Sequence, residues 1–336
     1  MRAIVFAGAG GPEVITIGTV PTPEPGPDQI RVRVEAAGLN RADLMQRRGH
    51  YPAPAGWPAD IPGLEYAGVV DAVGGASRRW RPGDRVMGLV GGGAQAEAVV
   101  VHQDEAMPVP DNLSPAEAAA IPEAFLTAYD ALVTRGRLAA GERVLIHAIG
   151  SGLGTAAAQI AKHLGATVIG TSRSGDKLAR AAQYGMDQGI DTSRGGFAPA
   201  ITEPVHIVMD VLGGPALPEN LAVLAPRGRL LLLGWLLGSK VEADFNPVLR
   251  KRLEIIGTVM RTRAREERVP LVREFTQRML PLFGTAGSGP PALRPVVERA
   301  VPMERLADAH QAMERNETFG KIVAVWGVDP PALKPR

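Results

Sequence analysis

Arg143-Val144-Leu145-Ile146-His147-Ala148-Ile149-Gly150-Ser151-Gly152-Leu153-Gly154 is the stretch whose reading decides the fold. An apolar run over 143–148 reads as a buried strand and leads straight into the glycine segment Gly150-Ser151-Gly152-Leu153-Gly154. An alanine-rich helix is expected over 155–164, with Gly165 ending it and a second strand over 166–171. Strand, glycine turn, helix and strand in this order make a βαβ unit. At the start of such a helix the backbone N–H groups lack partners and the helix dipole favours anions. The segment therefore suits a dinucleotide pyrophosphate, with Gly150, Ser151, Gly152, Leu153 and Gly154 as binding residues. The usual fingerprint is G-x-G-x-x-G, and here the third glycine falls early, because Thr155 stands where it belongs. The strand before the motif and the helix after it give it its weight.

The residues after the second strand select the cofactor. A site for the unphosphorylated dinucleotide places Asp or Glu there, to hold the ribose 2′-hydroxyl. This chain has Thr171-Ser172-Arg173-Ser174-Gly175-Asp176-Lys177. A carboxylate repels a 2′-phosphate, whereas the hydroxyl of Ser172, the guanidinium of Arg173 and the ammonium of Lys177 attract it. NADPH is the expected cofactor. Asp176 is the nearby acid, and a place in the first turn of a helix accounts for it.

At 336 residues the chain has room for two domains, and 45% hydrophobic with 21% charged residues is the composition of a globular protein. No apolar run reaches the roughly 18 residues of a membrane helix, so no membrane partner is expected. The N-terminus reads as a strand and not as a signal peptide, which makes a cytoplasmic location the expectation. The absence of cysteine excludes disulfides, thiolate metal sites and a cysteine nucleophile. A net charge of +2 is mildly basic and does not by itself indicate a nucleic-acid partner. No internal repeat is evident, and the Pro-containing tail 329–336 is expected to fray.

The first 120 or so residues show short β-like runs between Gly and Pro, at 3–6, 29–37, 66–73, 85–90 and 96–102. The period-two alternation of Ile30-Arg31-Val32-Arg33-Val34-Glu35 marks a half-buried strand. Turns are explicit at Pro25-Gly26-Pro27-Asp28 and Arg81-Pro82-Gly83-Asp84. Ser114-Pro115-Ala116-Glu117 starts a helix with a cap, a proline at the first position and an acid at the third. A second helix is expected over 125–135. Strands at 205–211, 229–233 and 253–259 then alternate with helices at 176–184, closed by Gly185, and at 217–224. That alternation indicates a doubly wound parallel sheet. A helical region from about 262 ends in a strand over 320–325 that returns to the N-terminal domain.

Several longer segments carry a family resemblance. They are Gly38-Leu39-Asn40-Arg41-Ala42-Asp43-Leu44-Met45-Gln46-Arg47-Arg48-Gly49-His50-Tyr51, Pro62-Gly63-Leu64-Glu65, Ala120-Ile121-Pro122-Glu123-Ala124-Phe125-Leu126-Thr127-Ala128, the nucleotide loop 147–154, and 316–322. Over essentially its whole length the chain resembles the medium-chain dehydrogenase/reductase superfamily. The branch is that of the zinc-free, zeta-crystallin-like quinone oxidoreductases, near the tumour-suppressor-inducible ones. The resemblance implies an α/β protein with a GroES-like β-rich domain at 1–122 and 263–336, a Rossmann domain at 123–262, and a cleft between them. Alcohol dehydrogenases of the superfamily hold zinc through a Cys in the first segment and a Gly-His-Glu in the second. Here those positions carry Asn40 and Leu64, the six histidines are scattered, and no metal is expected. His147 reads as a hydrogen-bonded core residue. By position in the motifs, Thr127, Gly213, Gly234, Trp235, Met260 and Asn316 are implied around the cofactor. The resemblance also implies a homodimer, or a dimer of dimers, paired edge to edge through the strand at 253–259.

Quinone reduction suits a site without a metal. Hydride addition gives a delocalised hydroquinone anion, so orientation supplies most of the catalysis. Tyr51 is the polar candidate to hydrogen-bond a substrate oxygen or the nicotinamide ribose. Asn40 either orients the substrate or holds its loop, and Asp43 is read as structural. Two other readings stay open. One is an enoyl-thioester or 2-alkenal reductase with Tyr51 as the acid. The other is an NADPH-binding structural or RNA-binding protein that uses Arg250-Lys251-Arg252 with Arg261, Arg263, Arg265 and Arg268.

Overall fold

The computed structural model describes residues 1–284 and 292–327, and the tail 329–336 lies outside the described residues. The chain forms two compact units, Met1–Leu126 with Arg261–Arg336, and Thr127–Met260.

The first unit begins with an antiparallel pair, β1 (Arg2–Phe6) and β2 (Ile15–Thr19). The alternating run expected at 29–37 is β3 (Gln29–Gly38). After α1 (Arg41–Arg47) come β4 (Glu65–Val73), β5 (Arg85–Leu89), β6 (Ala98–His102) and β7 (Ala106–Pro108). Two short helices follow, α2 (Pro115–Ala118) and α3 (Pro122–Tyr129). Ser114 and Glu117 cap α2 reciprocally, as their spacing predicts. The second helix starts at Pro122 and not at 125, passes into the second unit after Leu126, and continues beyond Tyr129 as a π-helix over Asp130–Arg135. The wider i→i+5 ring shows in the Gly136 N–H to Ala131 carbonyl bond of 2.7 Å.

The second unit is a parallel sheet with helical connections. Its elements are β8 (Arg143–Ile146), α4 (Gly152–His163), β9 (Thr167–Ser172), α5 (Gly175–Ala181), β10 (Gln188–Asp191), β11 (Val205–Asp210), α6 (Leu217–Val223), β12 (Leu224–Leu232), α7 (Asn246–Lys251) and β13 (Glu254–Gly257). The strand order is β10-β9-β8-β11-β12-β13. It is the doubly wound arrangement, and the winding reverses between β8 and β11, which is where such sheets bind ligands. Fully buried Val144, Leu145 and Ile146 of β8, Val168 and Ile169 of β9 and Ala156, Ala157, Ala158 and Ile160 of α4 fill the core. Small alanines let α4 lie close on the sheet. Gly165 (φ +82°) and Gly185 (φ +91°) take the left-handed conformations that end their helices.

The remaining chain returns to the first unit. α8 (Arg265–Arg278), β14 (Val297–Pro302), α9 (Leu306–Glu314) and β15 (Lys321–Val325) complete it. β15 pairs antiparallel with β3, the expected return of the last strand. The N-terminal half of β3 pairs with β6 and its C-terminal end with β15, while β4 runs along its other edge. Two register shifts between β3 and β4 bend the strand into this barrel-like path. Ile30, Val32, Val34, Tyr66, Val86, Leu306, Ile322 and Ala324 meet in its core.

Several expected bounds change. β8 stops at Ile146, because Ala148 turns left-handed (φ +51°). α4 starts at Gly152 and not at 155. β12 begins at Leu224, five residues early, with a bulge opposite Val205 and Ile207. β13 ends at Gly257, so Val259 is outside it. β2, β7, β10, β14, α1 and α7 are short and lie outside the expected elements. No helix among the described residues is long and apolar enough to cross a membrane.

Candidate active site

The loop ends of the parallel sheet are organised around α4. Ser151 is its N-cap, and its Oγ accepts the Gly154 N–H at 2.9 Å. That bond starts the helix three residues early, so Gly152, Leu153 and Gly154 form its first turn and the loop proper is 147–151. A Cβ at Gly154 would lie 2.6 Å from the carbonyl oxygens of Ala148 and Ile149. The early glycine therefore does the close packing that the usual motif assigns to a later one, while Thr155 is buried with its hydroxyl on the Gly152 carbonyl.

Beneath this loop lies a buried polar relay. His147 follows β8 directly, and its Nδ1 meets the Thr171 Oγ1 at 2.9 Å. Its Nε2 meets the Asn220 Oδ1 at 2.8 Å. Asn220 donates from Nδ2 to the Asp210 carboxylate at 3.2 Å. Asp210 also accepts the N–H groups of Leu212 at 2.7 Å and Gly213 at 3.2 Å. Burial pushes the His147 imidazolium down and the Asp210 carboxyl up. A neutral His147 with its proton on Nε2, facing the Asn220 carbonyl, satisfies every member. The expected core histidine is thus a strut joining the ends of β8, β9 and β11. The strut holds Gly213, whose φ of +95° favours glycine and where a Cβ would lie 2.5 Å from the Gly238 carbonyl oxygen.

The residues expected to choose the cofactor lie at the end of β9. Ser172 closes the strand and accepts the Ser174 N–H at 3.1 Å, Arg173 is exposed, and Lys177 is in the first turn of α5. Asp176 is also in that turn, where an acid suits the helix dipole. The carboxylate at the matching end of β10 is Asp191, held by the Ser193 N–H at 2.8 Å. Gly234 and Trp235 follow β12, with Trp235 exposed, and Met260 is buried. Thr127 has a shielded Oγ1 with no hydrogen-bond partner. An orphan hydroxyl, a helix start that only glycine fits and a left-handed Gly213 fit a dinucleotide.

The first unit holds a second polar group of residues. Asn40 precedes α1, and its backbone N–H donates to Asp43 at 2.7 Å. Its side chain donates to Glu65 at 2.9 Å and accepts from Lys321 at 2.6 Å. Lys321 also reaches the Leu39 carbonyl at 3.1 Å and the Glu65 carboxylate. The other oxygen of Glu65 takes the Glu123 N–H at 2.7 Å, at the start of α3. Asp43 is wholly buried and accepts the Gly63 N–H at 3.2 Å, and burial pushes its carboxyl up to about 6. Leu64 is packed in the core. Arg261 donates to the carbonyls of Gly91 and Tyr51 and to Gln46, and its guanidinium lies 4.9 Å from the centre of the Tyr51 ring. That clamp sets the Tyr51 loop. Burial is the main cause pushing the Tyr51 phenol up. Asn316 has a left-handed backbone and accepts from Arg41 at 2.9 Å.

The profile of the Alcohol dehydrogenase GroES-like domain matches residues 26–111, and that of the Zinc-binding dehydrogenase family matches 152–277. A quinone oxidoreductase of Pseudomonas aeruginosa is 33% identical over 329 residues, covering 96% of this chain and 98% of its own. The chain belongs to the medium-chain dehydrogenase/reductase superfamily, in its quinone oxidoreductase branch. The human synaptic vesicle membrane protein VAT-1 homolog-like is 30% identical over 343 residues, covering 96% of this chain and 80% of its own. Among solved structures, the Escherichia coli quinone oxidoreductase complexed with NADPH aligns with a TM-score of 0.83 at 26% identity, over 97% of this chain and 100% of that one. The CurK enoyl reductase gives 0.84 at 26%, over 97% and 99%.

This medium-chain oxidoreductase has the superfamily's GroES-like domain and its parallel dinucleotide-binding sheet. Sequence reading missed the partnership of Glu65, Glu123, Lys321 and Arg261, although Gly63-Leu64-Glu65 and Pro122-Glu123 stood in the motifs. The RNA-binding alternative needs the basic residues after 250 as one electrostatic footprint. Instead Lys251 donates to the carbonyls of Leu221, Ala222 and Leu224, Arg261 is buried, and Arg268 pairs with Glu105 at 2.5 Å. These cations are spent on the fold.

Proposed function

We propose that this oxidoreductase is an NADPH-dependent, zinc-independent quinone reductase. The observation that carries the reading is what stands where zinc-dependent members of the superfamily hold their metal. Asn40 is committed to Glu65 and Lys321, and Leu64 is packed in the core. Among the described residues no group of three or more His, Cys, Asp or Glu is placed to hold a metal ion. A relative named quinone oxidoreductase and a neighbour complexed with NADPH support the choice. The start of α4, Thr127 and Gly213 would hold the dinucleotide, and Ser172, Arg173 and Lys177 its 2′-phosphate. When bound, the reduced nicotinamide supplies a hydride. Tyr51, set by Arg261, donates a hydrogen bond to the acceptor oxygen, and Asn40 positions it by fixing the Glu65–Lys321 pair. The neighbour that is an enoyl reductase favours a conjugated alkene as the second reading.

Each charged contact to the 2′-phosphate should contribute about 1.5–3 kcal/mol. Arg173→Ala with Lys177→Ala should weaken NADPH binding by at least about 100-fold and leave NADH binding unchanged. Titration calorimetry of both cofactors decides it. Wild type that binds NADH as tightly as NADPH overturns the assignment.

A homodimer joined through the edge of the parallel sheet belongs to the same reading. β13 is the edge strand, with Glu254, Ile255 and Gly257 exposed. Thr258 N–H bonds to Leu232 of β12, so by alternation the Ile255 N–H points to the open edge. Ile255→Pro removes that donor and spares the ladder to β12, and it should shift light scattering from dimer toward monomer. Val259 lies beyond the strand and is not the position to test. A wild-type monomer at micromolar concentration refutes the dimer.

A further inference from the structure

Along α3 every residue is buried except Glu123 and Thr127. They are four apart and share one face of the helix. The first of them belongs to a cluster of five charged groups: Asp43 of α1, Glu65 of β4, Glu123 of α3, Lys321 of β15, and Arg261, beside the Tyr51 phenol. Four of the five have hydrogen-bond partners. Asp43 holds two backbone N–H groups. Glu65 holds Lys321, Asn40 and the Glu123 N–H. Lys321 and Arg261 each have three acceptors. The Glu123 carboxyl alone has no hydrogen bond to the protein among the described residues. Three carboxyl groups face two cations, so one proton makes the cluster neutral.

We propose that Glu123 is the acid that protonates the acceptor after hydride addition. The proposal rests on the hydride-transfer reading above. Burial is the main cause that pushes its carboxyl up to about 7; Glu65 and Asp43 add to it, while Lys321 and Arg261 oppose it. Glu123 therefore carries its proton near neutrality. Tyr51 is pushed away from ionisation and serves as a hydrogen-bond donor instead. Reducing the acceptor by two electrons takes one hydride, from the reduced nicotinamide dinucleotide, and one proton. The Glu123 O–H bond breaks as the new bond to hydrogen forms, at the oxyanion of a reduced quinone or at the α-carbon of a reduced enone. The carboxylate left behind regains its proton from water. A hydroquinone anion is stable enough to wait for that proton, whereas the enolate of a simple enone needs it delivered. Glu123 thus extends the site from quinones to conjugated enones.

The test is Glu123→Gln, with Glu123→Asp as the conservative variant, each assayed with NADPH and either a quinone or a conjugated enone. General acid catalysis is typically worth 10²–10⁴-fold. Glu123→Gln should lower kcat with the enone by at least about 10²-fold, and with the quinone by a smaller factor, while Glu123→Asp restores part of it. In wild type, kcat/KM should fall as pH rises through about 7, and Glu123→Gln should lack that limb. Infrared titration without acceptor supplies an independent readout: a protonated-carboxyl band that disappears near neutral pH in wild type and is missing from Glu123→Gln. Absence of that band, or turnover and a pH profile unchanged in Glu123→Gln, overturns the proposal alone. Wild type that reduces neither acceptor overturns the hydride-transfer reading itself.

Discussion

Lys321→Met should destabilise the protein by about 3–5 kcal/mol, the loss expected when one partner of a buried ion pair is removed. Glu65 has no exposure at all, and Lys321 contributes its compensating charge together with bonds to Leu39 and Asn40. Methionine keeps the length of the side chain within β15, so packing against β3 is retained and the charge is what changes. The Asn40 amide and the Glu123 N–H stay on Glu65, but neither carries a full charge. Urea unfolding should show a lower midpoint at an unchanged slope. The double variant Lys321→Met/Glu65→Gln should recover much of the loss, because it removes the stranded charge. A double variant as unstable as Lys321→Met alone would assign the loss to packing and refute the electrostatic account.

That cluster also shows what the sequence could and could not convey. Local chemistry was legible. The Ser114–Glu117 cap, the helix-ending glycines 165 and 185 and the glycine loop of α4 each involve residues within a few positions of one another. The parallel sheet followed from strands alternating with helices. Glu65 and Lys321, by contrast, are 256 residues apart, and Asn40 and Glu65 are 25 apart. No periodicity marks a polar group whose partner arrives on another strand. For Asn40 the sequence left two roles open, orienting the substrate or holding its loop, and the fold ties its side chain to Glu65 and Lys321. The helix bound at 152 was missed for a related reason. Glycine in three of five positions argues against helix by propensity, and the Ser151 cap together with tertiary contact overrides it. The strands missed, β2, β7, β10 and β14, are short, and each is held by a neighbour in the sheet.

Asn220→Leu should cost about 2–6 kcal/mol, since it strands two buried groups at about 1–3 kcal/mol each. Asn220 is completely buried and bridges the His147 Nε2–H to the Asp210 carboxylate. Leucine fills the space and offers neither donor nor acceptor. The two N–H bonds from Leu212 and Gly213 remain on Asp210, but its side-chain link to His147 and Thr171 is lost. NADPH affinity should therefore fall along with stability, although Asn220 is given no contact with the dinucleotide. Acid sensitivity gives a second check. A folded-state His147 pushed below its usual value binds fewer protons than the unfolded chain does below about pH 6.5, so stability falls as pH drops through that value and on toward the folded one. The Asn220 bond is a contact that favours protonation of His147, so the variant should deepen this fall. Asp210, raised by burial, works in the opposite sense at lower pH. His310, pushed down to about 3, acts in the same direction in both proteins and cancels in the comparison. If Asn220→Leu unfolds at the wild-type urea midpoint and binds NADPH as tightly, the relay does not hold the Gly213 loop and the site is organised by α4 alone.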